Sequence, residues 1–387
     1  MKTKLLPVFL LIAAQAFAQD GLLALTGKPG NNIVLNDIRQ LDFKTGVQKE
    51  VLLASNTPVK VFSSKSKKQI TQNVGSFDHA QAAAIATLAY DTKNNKTIYM
   101  PMFSTNIYVL DNKSKEITLL ENNILKTTPC DLGSQFTRMT TGADGAVYAV
   151  SNSGSQWIKI YAKNGSYIVE DLGELKDAAS NGRNSIKVVN TGYGGDMIAD
   201  ADNNLYILAA SGAVFKINAQ DNTVQYLDKV KGLPQGFTLN GAAVDADGHI
   251  VLASARGGKL YQTNFESFEA QPVENILSEP VYDLASPYLL YQNKTVNNAS
   301  ALASTVDLYP THVVDGHFNI KSGEKAVRFV EIFDASGQLA QKLELKNRET
   351  KTDQKIDVNT LKTGVYIVNL LDQERQVLST KKILVNK

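Results

Sequence analysis

Short runs of alternating apolar and polar residues fill most of the chain, and long helical patterns are scarce. Four stretches share one shape: "LAYDTKNNKTIYMPM" (88–102), "MTTGADGAVYAV" (139–150), "MIADADNNLYIL" (197–208) and "AAVDADGHIVLA" (242–253). Each begins with small and apolar residues, turns at an Asn/Asp/Gly cluster and continues as an alternating strand, the pattern of a tight hairpin. Tyr99, Tyr148, Tyr206 and Val251 align, at spacings of 49, 58 and 45 residues. A second strand pair follows each hairpin, clearest in "NIYVLDNKSKEITLLE" (106–121) and repeated at 157–172, 213–228 and 259–274. Residues 37–53 match this second pair but lack a clear first hairpin.

Four antiparallel strands in about 45 residues are the unit of a β-propeller blade. The expected fold is therefore all-β, with five readable blades. Residues 20–293 leave room for six, and 56–74 is either a degenerate blade or an inserted hairpin. "PVYDLASPYLLYQ" (280–292) reads as a lone pair of inner strands that closes the ring beside residues 37–53 and so removes two exposed edges. Residues 294–307 are polar, small and without period, as a linker would be. The alternating strands of 308–387, with hairpin turns at Asp334–Gly337 and Asp372–Arg375, predict a small immunoglobulin-like β-sandwich.

The turn "DADG" at Asp245–Gly248 also resembles the start of a calcium loop. Such a loop needs a further run of oxygen ligands and a Glu at its twelfth position. Counting from Asp200 and Asp245, that position holds Ser211 and Arg256. The turn reading is preferred, because Asn and Gly supply the positive φ a tight hairpin requires.

In a propeller, the entries to the inner strands and the loops between second and third strands share one face. Candidate ligand-binding residues at the channel mouth are His79, Asn106, Arg138, Trp157, Asp196, Asn240, Arg256 and Tyr282. Ser211 lies in an equivalent loop. Trp157 alternates with Ile158 and Ile160, so inter-blade packing competes with sugar stacking. No His/Cys cluster, nucleophile elbow, P-loop or dinucleotide fingerprint occurs. No cofactor is expected and the reading leans away from an enzyme.

Charge changes the picture little. Lys+Arg 40 against Asp+Glu 38 excludes a strongly basic nucleic-acid binder. "MKTKLLPVFLLIAAQAFAQD" has a basic start, a short apolar run and the small-x-small site "AFA", so residues 1–18 read as a signal peptide for the Sec translocon. The mature chain is then expected to carry no transmembrane segment. The lone cysteine, Cys130, allows no intramolecular disulfide and reads as a small buried hydrophobe.

The tail resembles the C-terminal sorting domain of type IX secretion substrates of Bacteroidetes. "LYPTHVVDGHFNIKS", "VRFVEIFDASGQLAQK" and "IDVNTLKTGVYIVNLLD" carry the resemblance, through Tyr309, Pro310, Asp334, Gly337, Leu361, Gly364, Val365 and Tyr366. It departs from the family at Thr311-His312, where Asn-Pro is usual. The resemblance implies recognition by the outer-membrane type IX translocon and delivery, through the periplasm, to the cell surface or beyond. The repeats are similar to NHL and gluconolactonase-like propellers, whose lactonases are metal-dependent; this resemblance implies, as the alternative, a hydrolase with one divalent cation at Asp196 and Asn240. The expected function is an exported propeller that binds an unknown surface ligand or protein.

Overall fold

The computed structural model describes residues 21–28, 34–42, 48–73, 76–277, 280–292, 306–322, 326–335, 337–345, 353–373, 375 and 377–386. The expected signal peptide and most of the expected linker lie outside the described residues. Two compact units are present, Met1–Leu290 and Tyr291–Lys387.

Among the described residues, the first unit is built from five sheets whose pairings are almost all antiparallel. Blade I holds β1 (Leu22–Lys28), β2 (Val34–Leu41) and β3 (Gln48–Leu53). Blade II holds β4 (Val61–Ser63), β5 (Gln69–Ile70), β6 (Ile85–Asp91), β7 (Lys96–Pro101), β8 (Ile107–Asp111) and β9 (Ile117–Leu120). Blade III holds β10 (Phe136–Thr141), β11 (Val147–Ser151), β12 (Trp157–Lys163) and β13 (Ser166–Gly173). Blade IV holds β14 (Lys176–Asp177), β15 (Asp196–Ala199), β16 (Leu205–Leu208), β17 (Ala213–Asn218) and β18 (Thr223–Lys229). Blade V holds β19 (Leu239–Val244), β20 (Ile250–Ser254), β21 (Gly258–Thr263) and β22 (Gln271–Leu277). Then β23 (Val281–Ala285) returns to pair antiparallel with β1 and becomes the inner strand of blade I. The inner strands β23, β6, β10, β15 and β19 pack in that order and close on one another. This is a five-bladed propeller.

One open alternative is decided and two expectations need correction. There is no sixth blade among the described residues: the 56–74 stretch forms β4 and β5, which extend the outer edge of blade II through a parallel pairing of β4 with β9. The closing segment contributes one inner strand rather than two, because Leu22–Lys28 supplies the second strand of blade I. The alignment of Tyr99 is out by one. Asp91 pairs with Lys96, whereas Gly142 bonds Ala146, so the blade II turn is one residue longer and Ile98 is the true counterpart of Tyr148.

Burial explains the sequence pattern. Inner strands pack on both faces, so they read as small, continuous apolar runs rather than as alternation. Leu88 faces blade I with Leu23, Leu25 and Ile85, while Ala89 faces blade III with Met139, Ala149 and Ile158. The inter-blade cores are thus the hydrophobic core, and each fully buried Leu or Ile contributes roughly 1.5–3 kcal/mol.

The second unit forms two sheets. One contains β24 (Val306–Tyr309), β26 (His317–Ser322) and β29 (Asp353–Asp357). The other contains β25 (His312–Val313), β27 (Phe329–Asp334), β28 (Leu339–Glu344), β30 (Gly364–Leu371) and β31 (Val377–Val385). Phe318, Ile320, Val330, Ile332, Val368 and Ile383 fill the space between them. That is a small sandwich, whose first strand already begins within the expected linker, at Val306.

Candidate functional site

The five inner strands present five equivalent positions. On four of them a register shift precedes that position: Thr87 on β6, Arg138 on β10, Gly241 on β19 and Asp283 on β23. Asp196, the first residue of β15, takes the same place opposite Leu208. Thr87, Arg138, Asp196 and Asp283 are all wholly buried. A Cβ on Gly241 would meet Leu284 Cγ at 2.8 Å and the Asp283 carbonyl carbon at 3.0 Å, so only glycine fits between its neighbours.

The carboxylates lace neighbouring blades together. Asp196 Oδ2 accepts the N–H groups of Ala242 (2.7 Å) and Leu284 (3.3 Å), and Oδ1 accepts that of Met197 (2.7 Å). Asp283 Oδ2 accepts the N–H of Leu88 at 2.5 Å. Burial raises the Asp196 carboxyl to about 7, against the pull of Asp283 and these N–H groups. Burial and the facing Asp196 carboxylate together raise Asp283 well above the usual range. Both shifts favour a protonated carboxyl within the pair. Arg138 supplies the counter-charge. Its Nε donates to Gly194 O (3.0 Å), and its Nη2 donates to Asn152 O (3.0 Å) and to Gly192 O. Burial lowers it to about 9, offset by Tyr193 and Asp196. Toward the opposite face, the lumen between β15, β19 and β23 narrows to a cavity of ≈ 10 Å³, room for about one water.

The other candidates do not converge on the axis. His79 lines a separate cleft of ≈ 350 Å³ with Gln72, Gln81 and Ile70, and burial lowers its pKa. Asn106 donates to Asp78 O (2.9 Å) and the Tyr108 hydroxyl (3.1 Å). Trp157 is 1% exposed and stacks on Tyr148 in the blade III–IV core, so its role is packing. Asn240 Oδ1 accepts from the Thr238 hydroxyl and the Ala255 N–H, both at 2.9 Å. Ser211 donates to Thr191 O (2.8 Å). Arg256 is exposed beside Gly236. Tyr282 packs on the blade I–II core, and burial raises its pKa. Cys130 is exposed rather than buried, in the irregular connection before blade III, where φ is +70°.

Asp196 and Asn240 do not fit a divalent ion. Their oxygens already face hydrogen-bond donors, and a guanidinium lies close by. The "DADG" turn is equally committed: Asp245 Oδ1 accepts the N–H groups of Asp247 (3.0 Å) and His249 (2.8 Å), and Oδ2 accepts Gln262 Nε2 (2.8 Å). Asp245, Asp247 and His249 do cluster, but as parts of this turn. Asp200 plays the same part in blade IV.

Sequence reasoning found Arg138 and Asp196 but missed Thr87 and Asp283. The signal was present: Thr87, Arg138, Asp196 and Gly241 each stand four residues before the turn residue Asp91, Gly142, Asp200 or Asp245.

The entry loops form a stitched surface. Phe103 N–H donates to Gln135 Oε1 (2.7 Å), Asn152 N–H to Gln135 O (2.9 Å) and Gly194 N–H to Asn152 Oδ1 (2.8 Å). Ala210 N–H then donates to Tyr193 O, and Leu239 N–H to Ala210 O, both at 3.2 Å. Among the described residues of this unit, six large apolar side chains are exposed, and four of them sit on these entry connections: Phe77, Leu132, Val188 and Val189.

In the second unit, Tyr309 and Pro310 end β24, and Asp334 bonds Gln338 N–H and Gly337 N–H across the β27–β28 turn. Leu361 enters the core, Gly364 and Val365 open β30, and the Tyr366 hydroxyl donates to Lys362 O (3.0 Å). Residues 307–386 match the family described as "Secretion system C-terminal sorting domain". The C-terminal unit is a type IX secretion sorting domain. Its presence places the protein at the cell surface or outside the cell and implies the type IX translocon as a partner. Among the described residues no helix is long and apolar enough to cross a membrane.

No curated protein sequence matches the chain. Three solved structures illustrate its likeness in shape. The extracellular domain of a putative hybrid two-component system from B. thetaiotaomicron is 12% identical over 91% of this chain and 48% of its own, with a TM-score of 0.33. PorZ, a surface component of the type-IX secretion system of Porphyromonas gingivalis, is 12% identical over 94% and 51%, at 0.29. Virginiamycin B lyase from Staphylococcus aureus is 11% identical over 95% and 96%, at 0.33. The chain spans about half the length of the first two. At such scores the likeness says nothing of ligand or reaction.

Proposed function

We propose that the sorting domain delivers a non-enzymatic propeller whose entry-loop face binds a ligand or protein at the cell surface. The observation that carries this reading is the placement of Phe77, Leu132, Val188 and Val189 on successive entry connections, held on a framework of inter-loop hydrogen bonds. Water-exposed apolar groups on a preorganised face favour an interface, because little ordering entropy remains to be lost on binding. The axis favours a structural layer: Asp196, Asp283 Oδ2 and Arg138 Nε and Nη2 bond strand N–H groups and loop carbonyls, while Asp283 Oδ1, Arg138 Nη1 and the Thr87 hydroxyl stay buried without a hydrogen-bond partner among the described residues. A metal-dependent hydrolase has no supporting observation, since Asp196 and Asn240 make a poor donor set.

The test compares the parent chain with a Leu132→Ser, Val188→Ser, Val189→Ser variant. Both are titrated onto immobilised envelope fractions of a type IX-competent Bacteroidetes cell and onto a glycan panel. Saturable binding that falls at least about tenfold in the variant, with unchanged melting, is expected. Equal binding by both chains, or turnover of lactones or glycans by the parent, would sink the reading.

A further inference from the structure

The sorting domain carries an apolar stripe on the outer face of its five-stranded sheet. The inner face of that sheet is covered by the three-stranded sheet and the shared core. On the outer face, Val365 pairs with Leu384, and Ile367, two residues along the same strand, pairs with Phe333. Phe333 pairs in turn with Leu339. Cross-strand neighbours stand about 5 Å apart, so these five side chains form one continuous band over four strands. Leu384, Val365, Ile367 and Leu339 are 41%, 37%, 36% and 52% exposed. A sheet face normally alternates apolar-in and polar-out, so an apolar row facing water costs solubility unless something covers it.

The border of the stripe is basic. Lys382 pairs with Ile367 at one side. On the other, Glu331 is shared by Lys342 Nζ (2.8 Å) and Arg375 Nη1 (3.7 Å), and the Arg375 guanidinium also lies 4.6 Å from the centre of the Phe329 ring. Glu344, opposite Phe329, is held by Arg328 Nη2 (2.8 Å), so Glu331 and Glu344 face Lys382, Lys342, Arg375 and Arg328 and the rim is positive.

We propose that this stripe is the surface by which the type IX machinery grips the sorting domain, through a protein patch with an apolar centre and an acidic border. The inference rests on the sorting-domain identification and adds the face and its charge. An apolar centre with a charged rim is the usual anatomy of a specific protein contact, and the rim sets approach and orientation more than strength.

The experiment expresses the full chain, with its leader, in a type IX-competent bacterium and follows surface display by protease accessibility against periplasmic retention. Four variants are compared with the parent: a Val365→Thr, Ile367→Thr, Leu384→Thr triple; Lys382→Glu; Val314→Thr, exposed but off the sheet; and deletion of residues 307–387. Threonine keeps strand propensity. The triple is expected to lose at least about tenfold of surface display, and Lys382→Glu several-fold, with folded protein held in the periplasm and Val314→Thr unchanged. If the triple fails to fold, as judged by melting of the purified chain, Lys382→Glu decides. Parent-like display of both stripe variants, with the deletion blocked, overturns the stripe and leaves the sorting reading intact. A deleted chain that still reaches the surface removes the sorting reading and the inference with it. Dimers that the triple dissolves, with export unchanged, assign the stripe to a second copy and overturn the proposal.

Discussion

Single residues decide how the ring is locked. Asp196 and Asp283 are placed where the inner strands crowd together, and each takes the N–H of a residue on a following blade. The cost is electrostatic. Both carboxyls titrate higher in the folded chain than in the unfolded one, where Asp has its ordinary value. The folded state therefore binds more protons than the unfolded state above the ordinary range. That contribution to stability is fully present below the unfolded pKa and is lost as pH rises through about 7. Melting temperature should thus fall between about pH 5 and pH 8 from this pair. Asp283→Asn replaces this carboxyl by an amide that stays neutral at every pH. We expect it to flatten this fall and to stabilise the chain at pH 8 by on the order of a few kcal/mol. Thermal melts across pH decide the matter: a variant with the parent's slope would show that the pair does not control it.

At the scale of the element, the hairpin turns were legible because their chemistry is local. The residues with positive φ are Asn95, Gly145, Asn203 and Gly248, all within the Asn/Asp/Gly clusters. Asp200 and Asp245 each fold back on their own turn N–H groups. Blade III departs from this: Gly142 replaces the aspartate, and Asp144 takes over by binding the Tyr148 hydroxyl and Lys159, both at 2.8 Å. Asp245→Ala should destabilise the fold by about 1 kcal/mol, because it leaves part-buried turn donors without their buried acceptor. EDTA should leave parent melting unchanged. A fall in melting on chelation, abolished in Asp245→Ala, would instead restore a metal at this turn. The long connection before β15 was not legible as structure. It accounts for the 58-residue spacing and carries a short helix, α1 (Val189–Gly192), whose glycine carbonyl helps hold Arg138. Nothing periodic in residues 178–195 announces that contact.

For the whole molecule, closure is the governing event. The inner strand of blade I comes from Val281–Ala285, and its pairing with β1 joins the two ends of the ring. A parent chain ended after residue 290 should melt cooperatively, whereas one ended after residue 279 should lose the closing strand, Asp283 and two buried leucines together. We expect that shorter chain to lose cooperative melting, and an unchanged transition would refute closure by β23. The four-stranded repeat, the turn chemistry and the export address were legible in the sequence alone, because each rests on local periodicity, turn residues or a contiguous motif. The sixth-blade ambiguity, the single closing strand and the meeting of Thr87, Arg138, Asp196 and Asp283 were decided only by tertiary structure. These depend on which strand lies beside which, and residues as far apart as Leu88 and Asp283 become neighbours only when the ring shuts.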